Sequence, residues 1–83
     1  MKLTVRYFAA LREALGPQEA VEAPAGTSLA ALRDDLIATS PTHAVALRRG
    51  RALRCAVNHQ LADDALLLQD GDEVAFFPPV TGG

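Results

Sequence analysis

Cysteine is almost absent from this sequence, which contains one, at position 55. A single thiol forms no internal disulfide bond, and it supplies too few thiolates for an all-cysteine zinc or iron–sulfur site. Long hydrophobic runs are also missing: the longest, Tyr7–Leu11, has five residues, whereas a membrane helix needs about 20. These absences exclude a disulfide scaffold, a cysteine-bound cluster within one chain and a membrane-spanning segment.

A basic excess is missing as well, because eight Lys and Arg residues are set against ten Asp and Glu residues and the formal net charge is -2. Nucleic-acid-binding proteins neutralise phosphates with clustered cations, so no nucleic-acid partner is expected. The apolar stretch of a secretory signal is not found near the start, where Lys2, Arg6 and Arg12 interrupt every candidate. We therefore expect a cytoplasmic protein that does not associate with membranes.

Motifs for cofactor and metal chemistry are lacking. The six glycines stand at 16, 26, 50, 71, 82 and 83, a spacing that matches neither a P-loop nor a dinucleotide fingerprint. The acidic segment Asp70–Glu73 lacks calcium-loop spacing and is typical of a turn. His43 and His59 are expected to be ordinary surface residues. The sequence thus predicts no bound cofactor, ATP included, and no metal site.

The sequence has the length and composition of one small domain, with 83 residues of which 49% are hydrophobic. Alternating apolar residues predict strands, and apolar residues three or four apart predict helices. The predicted elements are a strand over Leu3–Tyr7, a short helix over Ala9–Leu15, a strand over Glu19–Ala23, a principal helix ended by Pro41, a shorter helix over Thr42–Arg48, a strand over Leu53–Asn58, an irregular segment or helical turn over Asp63–Gln69 and a strand over Glu73–Phe77.

The principal helix is predicted from the apolar stripe of Leu29, Leu32 and Leu36, with Thr27 or Ser28 as its N-cap. The residues off this stripe are Arg33, Asp34 and Asp35. Two strands, one main helix and two further strands favour an α+β domain with a mixed sheet and the helix across one face. The order matches the β-grasp fold, which ubiquitin also has, with the domain over residues 1–79 and a flexible tail over residues 80–83.

Two phenylalanines are predicted on the face of the sheet away from the helix. If Leu3, Val5 and Tyr7 point inward, alternation places Phe8 outward, and the same count places Phe77 outward. The first and last strands are neighbours in a β-grasp, so the two rings can share an apolar binding patch, with Leu61 nearby. The alternative is that these strand-end residues pack back onto the domain.

The tail combines rigidity with small residues. Pro78-Pro79 lacks backbone N–H donors and ends strand pairing, so it directs Val80-Thr81-Gly82-Gly83 away from the body. Four extended residues span about 13–14 Å, enough to enter a cleft in a partner. Glycine has no Cβ, which lets the chain end pass through a narrow channel. The carboxylate of Gly83 is therefore the candidate reactive group; the alternative is a glycine-ended terminus without a function.

Two further features have open interpretations. Arg48, Arg49, Arg51 and Arg54 hold half of the basic residues, and they form either a surface for an acidic partner or a solvated face. Cys55 alternates with the outward residues of its strand and is expected to be a small buried hydrophobic residue.

Three segments carry a resemblance to a known family. They are Val5-Arg6-Tyr7-Phe8-Ala9-Ala10-Leu11-Arg12-Glu13, Ala56-Val57-Asn58 and, most specifically, the fourteen residues Asp70–Gly83. Together they resemble the small, sulfur-carrying subunit of molybdopterin synthase, and the resemblance covers essentially the whole chain. The departures are mild: His59-Gln60 stands where the family often has a polar residue followed by glutamate, and Cys55 where a small or aliphatic residue is common.

The resemblance implies a carrier without catalytic side chains of its own. An adenylating enzyme related to ubiquitin-activating enzymes would use ATP to convert the Gly83 carboxylate to an acyl-adenylate. A sulfur donor, such as a cysteine desulfurase or rhodanese-like protein, would then replace AMP and leave a thiocarboxylate. The tail, including Gly82, would insert into the large subunit of a heterotetrameric synthase, where two sulfurs build the dithiolene of molybdopterin. The partner-contacting residues implied are Phe8, Arg12, Leu61, Phe77, Pro78, Pro79, Val80 and Thr81.

Three alternatives stay open. A related carrier could serve another pathway, such as thiamine synthesis or tRNA thiolation. A protein modifier would join Gly83 to lysines, as ubiquitin does. A purely structural binding module would use the patch of Phe8 and Phe77 and would not need Gly82-Gly83.

Overall fold

A computed structural model describes residues 1–79 of the chain. The longest of its helices has nine residues, so no helix in this part of the chain has the length to cross a bilayer. The elements in chain order are β1 (Lys2–Tyr7), α1 (Ala10–Leu15), β2 (Gln18–Glu22), α2 (Leu29–Ile37), α3 (Pro41–Leu47), β3 (Arg54–Val57), β4 (Gln60–Ala62) and β5 (Glu73–Phe77).

The five strands form one mixed sheet in the order β2-β1-β5-β3-β4. β1 and β5 pair in parallel, from Thr4 opposite Glu73 to Tyr7 opposite Phe76, and the other neighbours are antiparallel. The first and last strands of the chain are thus adjacent at the centre of the sheet. This arrangement confirms the predicted α+β class and the β-grasp order.

α2 is the principal helix, as predicted, and it packs its leucine stripe on the sheet. Leu29, Leu32 and Leu36 are buried. The cap is Ser28, whose Oγ accepts a hydrogen bond from the backbone N–H of Ala31 at 3.1 Å. The predicted role of Pro41 is wrong: α2 already ends at Ile37, and Pro41 is the first residue of α3. Proline is favoured there because the first turn of a helix leaves its N–H groups unpaired.

Arg33 is buried despite its position off the leucine stripe, at 7% exposure. Its Nε donates to the carbonyl oxygen of Leu47 at 2.8 Å, and its Nη2 donates to those of Arg48 at 2.7 Å and Arg51 at 3.0 Å. Burial lowers the pKa of Arg33 from its ordinary value. The guanidinium therefore joins α2 to the C-terminal end of α3 and to the loop that follows it, where the last carbonyls of a helix lack an intrahelical partner.

A short strand missing from the sequence-based prediction forms the edge of the sheet. β3 begins at Arg54, and Asn58 and His59, both at positive φ of 51° and 69°, form the tight turn into β4. Two consecutive positive φ values are the signature of a type I′ hairpin turn. β4 has only three residues, which is too few to show alternation. The asparagine was the available signal, because it tolerates this conformation better than most residues.

The core lies between the helices and the inward face of the sheet. The inward prediction for alternate residues of β1 and β5 is confirmed, and the Tyr7 and Phe76 rings stack with centroids 6.3 Å apart. The buried hydrophobic residues of the core are Leu3, Val5, Tyr7, Leu11, Ala23, Leu29, Leu32, Leu36, Ala46, Leu47, Cys55, Val57, Leu68, Val74 and Phe76.

We predict that Arg33→Met lowers the free energy of unfolding by about 2–4 kcal/mol, because three carbonyls lose their charged donor without regaining water. Urea denaturation followed by circular dichroism measures the change. Asp35→Asn, at an exposed position of the same helix, is the control and is expected to stay within about 0.5 kcal/mol of the parent. A loss below about 1 kcal/mol for Arg33→Met would contradict the structural role of these hydrogen bonds.

Candidate functional site

The parallel pairing of β1 and β5 brings the ends of both strands to one end of the sheet. Tyr7 lies opposite Phe76, and the next residue, Phe8, donates its backbone N–H to the carbonyl oxygen of Phe76 at 3.2 Å. β5 ends at Phe77, where two prolines without N–H groups follow. The chain therefore leaves the centre of the sheet beside Phe8.

The sheet register extends this end into a wider apolar surface. On the face away from the helices, Ala75 of β5 lies opposite Ala56 of β3, and Ala56 lies opposite Leu61 of β4. Phe77 is two residues beyond Ala75 and hence on the same face. We call these residues the apolar patch: Phe8, Ala56, Leu61, Ala75 and Phe77. The structure thus brings together the three hydrophobic residues singled out in the sequence, which lie far apart along the chain.

Exposure differs among the three large side chains of the patch. Leu61 is 68% exposed and Phe8 is 37% exposed, whereas Phe77 is half-buried. The prediction that both phenylalanines face solvent is therefore only partly right for Phe77. Its ring is less exposed than predicted, because β5 has a neighbouring strand on each side. Phe8 is also partly covered, since the guanidinium carbon of Arg6 lies 5.4 Å from its ring centroid. The patch is a shallow surface with Leu61 as its most prominent side chain.

Arg12 lies on α1, the helix that begins two residues after Phe8, and it is exposed. The chain reaches this helix through Ala9, which has a positive φ of 55°. This sharp turn keeps α1 at the same end of β1 as the apolar patch. The predicted contribution of Arg12 at the rim of the interface stays a prediction.

Pro78 is exposed and Pro79 is half-buried at the end of the described chain. The predicted partner-contacting residues Val80 and Thr81, and the predicted reactive residues Gly82 and Gly83, lie outside the described residues. Their roles, and the predicted flexibility of the tail, therefore stay predictions.

The acidic segment before β5 has a structural role. Asp70 accepts a hydrogen bond from the backbone N–H of Lys2 at 2.7 Å, and Asp72 accepts from the amide of Asn58 at 2.9 Å and from the backbone N–H of Gln69 at 2.8 Å. These carboxylates fix the turn that starts β5. Within residues 1–79, no three His, Cys, Asp or Glu side chains are grouped so as to hold a metal ion.

The prediction for His43 as an ordinary surface residue is wrong. Its Nε2 lies 2.8 Å from Oε2 of Glu19, its Nδ1 lies 2.7 Å from Oγ of Ser40, and its side chain is only 14% exposed. The same Glu19 oxygen accepts a hydrogen bond from the Tyr7 hydroxyl at 2.7 Å. Burial is the main cause that raises the pKa of Tyr7, and this hydrogen bond raises it further. The network ties α3 to β1 and β2, and sequence spacing shows no sign of it. His59 is exposed, as predicted.

Cys55 is buried on the inward face of β3, as predicted, at 7% exposure. Burial raises the pKa of its thiol to about 11. A thiol is nucleophilic as its thiolate, so Cys55 is unreactive at neutral pH. The folded domain therefore shields its one thiol.

Comparison with known proteins agrees with this geometry. The model of the ThiS family matches residues 5–83. This chain belongs to the ThiS family. The match includes the apolar patch and extends through the Gly-Gly end of the sequence. A relative in Escherichia coli strain K12, described as a molybdopterin synthase sulfur carrier subunit, is 44% identical over 98% of this chain and 99% of its own length.

Solved structures of similar proteins share the fold. SAMP1 from Haloferax volcanii has a TM-score of 0.80 at 25% identity, with both chains covered completely. A chain in the complex of subunits 1 and 2 of the molybdopterin-converting factor from Helicobacter pylori 26695 has a TM-score of 0.69 at 29% identity, again with both chains covered completely. The β-grasp architecture described for residues 1–79 is thus shared with these solved structures.

We predict that a thiol-alkylating reagent at pH 8 modifies Cys55 in the folded protein at least about 100-fold more slowly than in urea, because a pKa about two units higher leaves about 100-fold less thiolate. Mass spectrometry of quenched samples follows the reaction. Equal rates in the two states would contradict the burial of this thiol.

The same thiol makes stability pH-dependent. The unfolded thiol ionises near pH 9 and the folded one near pH 11, so the contribution of Cys55 is complete below pH 9 and is lost as the pH rises towards 11. We expect this part of the decline to be absent in Cys55→Ala, measured by urea denaturation across that range. Parallel profiles for the two proteins would contradict the assignment.

Proposed function

We propose that this chain is the sulfur-carrier subunit of a molybdopterin synthase and that the carboxylate of Gly83 carries the sulfur. The observation that supports this most is the 44% identity, over almost the full length of both chains, to a molybdopterin synthase sulfur carrier subunit. The family match reaches Gly83, so it includes the end of the chain on which the chemistry depends.

The chemistry begins with activation of a poor electrophile. A carboxylate oxygen of Gly83 attacks the α-phosphorus of ATP and pyrophosphate leaves, which gives an acyl-adenylate with a good leaving group. The outer sulfur of a persulfide on the sulfur donor then attacks the acyl carbon and AMP leaves, which gives an acyl disulfide. A thiol attacks the donor's sulfur in this disulfide, which releases the thiocarboxylate and leaves the donor in a disulfide with that thiol. The product is a thiocarboxylate, an anionic sulfur nucleophile at neutral pH. ATP belongs to the adenylating enzyme, and the donor is a cysteine desulfurase or a rhodanese-like protein.

The role of the folded domain in this cycle is to present the tail to the partner. Because the chain leaves from the central strand β5 beside the apolar patch, a partner that binds the patch has the tail at the edge of the same contact. Pro78-Pro79 restricts the direction of the next residues. Binding the folded domain thereby raises the effective concentration of Gly83 in the partner's active site. The catalytic side chains belong to the partners, and the chain is no enzyme on its own.

The partner that receives the sulfur is the large subunit of the synthase. This assignment is supported by the Helicobacter pylori neighbour, whose structure is a complex of subunits 1 and 2 of a molybdopterin-converting factor. The exposed leucine and phenylalanine of the apolar patch are the kind of side chains that anchor protein interfaces when a partner covers them.

A second candidate function is that of a protein modifier joined to lysines through Gly83. The likeness to SAMP1 favours it, since a structure from the same organism is described as small archaeal modifier protein 1. Both functions begin with adenylation of the same carboxylate. They differ in the nucleophile that displaces AMP, which is sulfur for the carrier and a lysine amine for the modifier.

We predict that incubation with ATP, the adenylating enzyme and a sulfur donor exchanges one oxygen of Gly83 for sulfur. Intact-mass spectrometry detects the exchange, and fragmentation locates it. Cys55→Ala serves as a matched variant, because it removes the other site at which sulfur can be retained and is expected to be converted equally. Addition of one alanine after Gly83 should prevent sulfur transfer to the large subunit without unfolding the domain.

Two results would overturn the carrier function. One is an unchanged mass while a known carrier is converted in a parallel reaction. The other is sulfur transfer that survives the added alanine. Adducts of higher mass in cell extracts, joined by a bond between Gly83 and a lysine, would favour the modifier instead.

We also predict that Phe8→Ala weakens binding to the large subunit by about tenfold, because it removes an aromatic side chain from the contact. Isothermal titration calorimetry measures the affinity. Val45→Ala is the matched control, since Val45 is 70% exposed on α3, in the helical layer across the sheet from the patch. Equal affinities of the two variants would contradict the placement of the interface.

A further inference from the structure

The arginines that are clustered in the sequence make different contacts in the structure. Arg49 donates from Nε to Asp34 at 2.8 Å and from Nη2 to the carbonyl oxygen of Ala30 at 2.9 Å. Arg51 donates from Nη1 to the carbonyl oxygen of Ala46 at 3.2 Å. These two side chains hold the region around α2 and α3 together, so their sequence proximity to Arg54 does not make the four one surface.

Arg54 lies elsewhere, on the open face of the sheet. It is the first residue of β3 and pairs in register with Phe77. Because the next residue, Cys55, is buried, alternation directs Arg54 to the outward face, and it is exposed. Within residues 1–79, no ion pair or side-chain hydrogen bond involves Arg54. A solvated arginine thus adjoins the residue at which the chain leaves the sheet.

Arg6 occupies the diagonal corner of the same surface. It lies opposite Ala75 on β5, so it is two strands from Arg54, roughly 10 Å across the sheet at the usual strand spacing. Its guanidinium is positioned over the Phe8 ring, and its contact with Glu73 is long, at 3.9 Å between Nη1 and Oε1. Nε of Arg6 is buried and unpartnered within the described part of the chain. The apolar patch therefore has a guanidinium at each of two opposite corners.

Most of the acidic residues near this face lie at its other end, but Asp63 and Asp64 follow β4 and line one depression with Arg54 and Leu61. Asp70, Asp72 and Glu73 stand at the start of β5, whereas the patch is at its finish. The chain is acidic overall, with a net charge of -2, so the arginines at the patch are a local exception. At the patch end of the face, Arg54 thus stays without an ion pair within residues 1–79, although Asp63 and Asp64 lie nearby.

We propose that Arg54 and Arg6 steer and strengthen the binding of the synthase large subunit to the apolar patch, by pairing with carboxylates that flank an apolar site on that partner. The inference rests on the proposed function and names the chemistry of the partner surface, an apolar depression with an aspartate or glutamate facing Arg54. A protein fits these observations better than a polyanion, because the centre of the surface is apolar and two cations neutralise few phosphates. Such rim charges act mainly on the association rate and on the choice between partners.

The test uses the full chain and the large subunit of the synthase from the same organism, with surface plasmon resonance at low and high salt. At low salt, Arg54→Gln should weaken the complex about threefold and Arg54→Glu about tenfold, mainly through slower association. High salt should reduce the difference from the parent. Lys2→Glu is the control: it reverses a charge on the same face at the far end of β1 and should change the affinity less than twofold.

Arg54→Leu distinguishes charge from contact area, because it keeps an apolar side chain at this position. We expect it to behave like Arg54→Gln. Parent affinity and parent salt dependence in Arg54→Glu would overturn the inference, as would an equal loss in Lys2→Glu. Circular dichroism establishes that each variant is folded. Failure of the parent chain itself to bind the large subunit would instead overturn the proposed function, so the two failures are distinguishable.

Discussion

Parallel hydrogen bonding between β1 and β5 is the constraint on which the rest of this structure depends. The pairing joins the two ends of the chain in the centre of the sheet, and every other strand is added outside it. It also places Phe8, the residue after β1, beside the end of β5. Parallel strands need a long crossover, and here the crossover contains the helices that cover the inward face.

Buried polar groups hold this crossover in place where apolar packing has no directional preference. Arg33 donates hydrogen bonds to three carbonyls at the end of α3 and in the loop after it, and Glu19 connects Tyr7 to His43. Each interaction joins elements distant in sequence. These contacts hold the helices against the sheet, so a partner that binds the patch meets the end of β5 in one fixed position.

The outward face of the sheet combines two properties that a sulfur carrier needs, reversible binding and discrimination between partners. Its apolar patch is small and shallow, which suits the reversible binding that we propose, first to an adenylating enzyme and then to a synthase. Its arginine corners add discrimination without a large buried area. The reactive group that we propose is the carboxylate of Gly83, which needs no side chain, so in this proposal the domain positions the chemistry without performing it.

How much of this fold can be predicted from the sequence depends on how far apart the interacting residues lie along the chain. Alternation identified the inward residues of β1 and β5, and Leu29, Leu32 and Leu36 identified the main helix, because these patterns arise between near neighbours. The closing segment from Asp70 to Gly83 carried the resemblance to the family.

Only the tertiary structure decided the features that depend on register and on distant partners. β4 is stabilised by pairing with β3 and is too short to be recognised alone. His43 and Arg33 are buried by groups from other elements, and no local pattern records those partners. The position of Arg54 beside the patch follows from its register opposite Phe77. The sequence by itself determined which residues are apolar and where the chain turns; the sheet decided which of them meet, because hydrogen-bond register brings distant residues side by side.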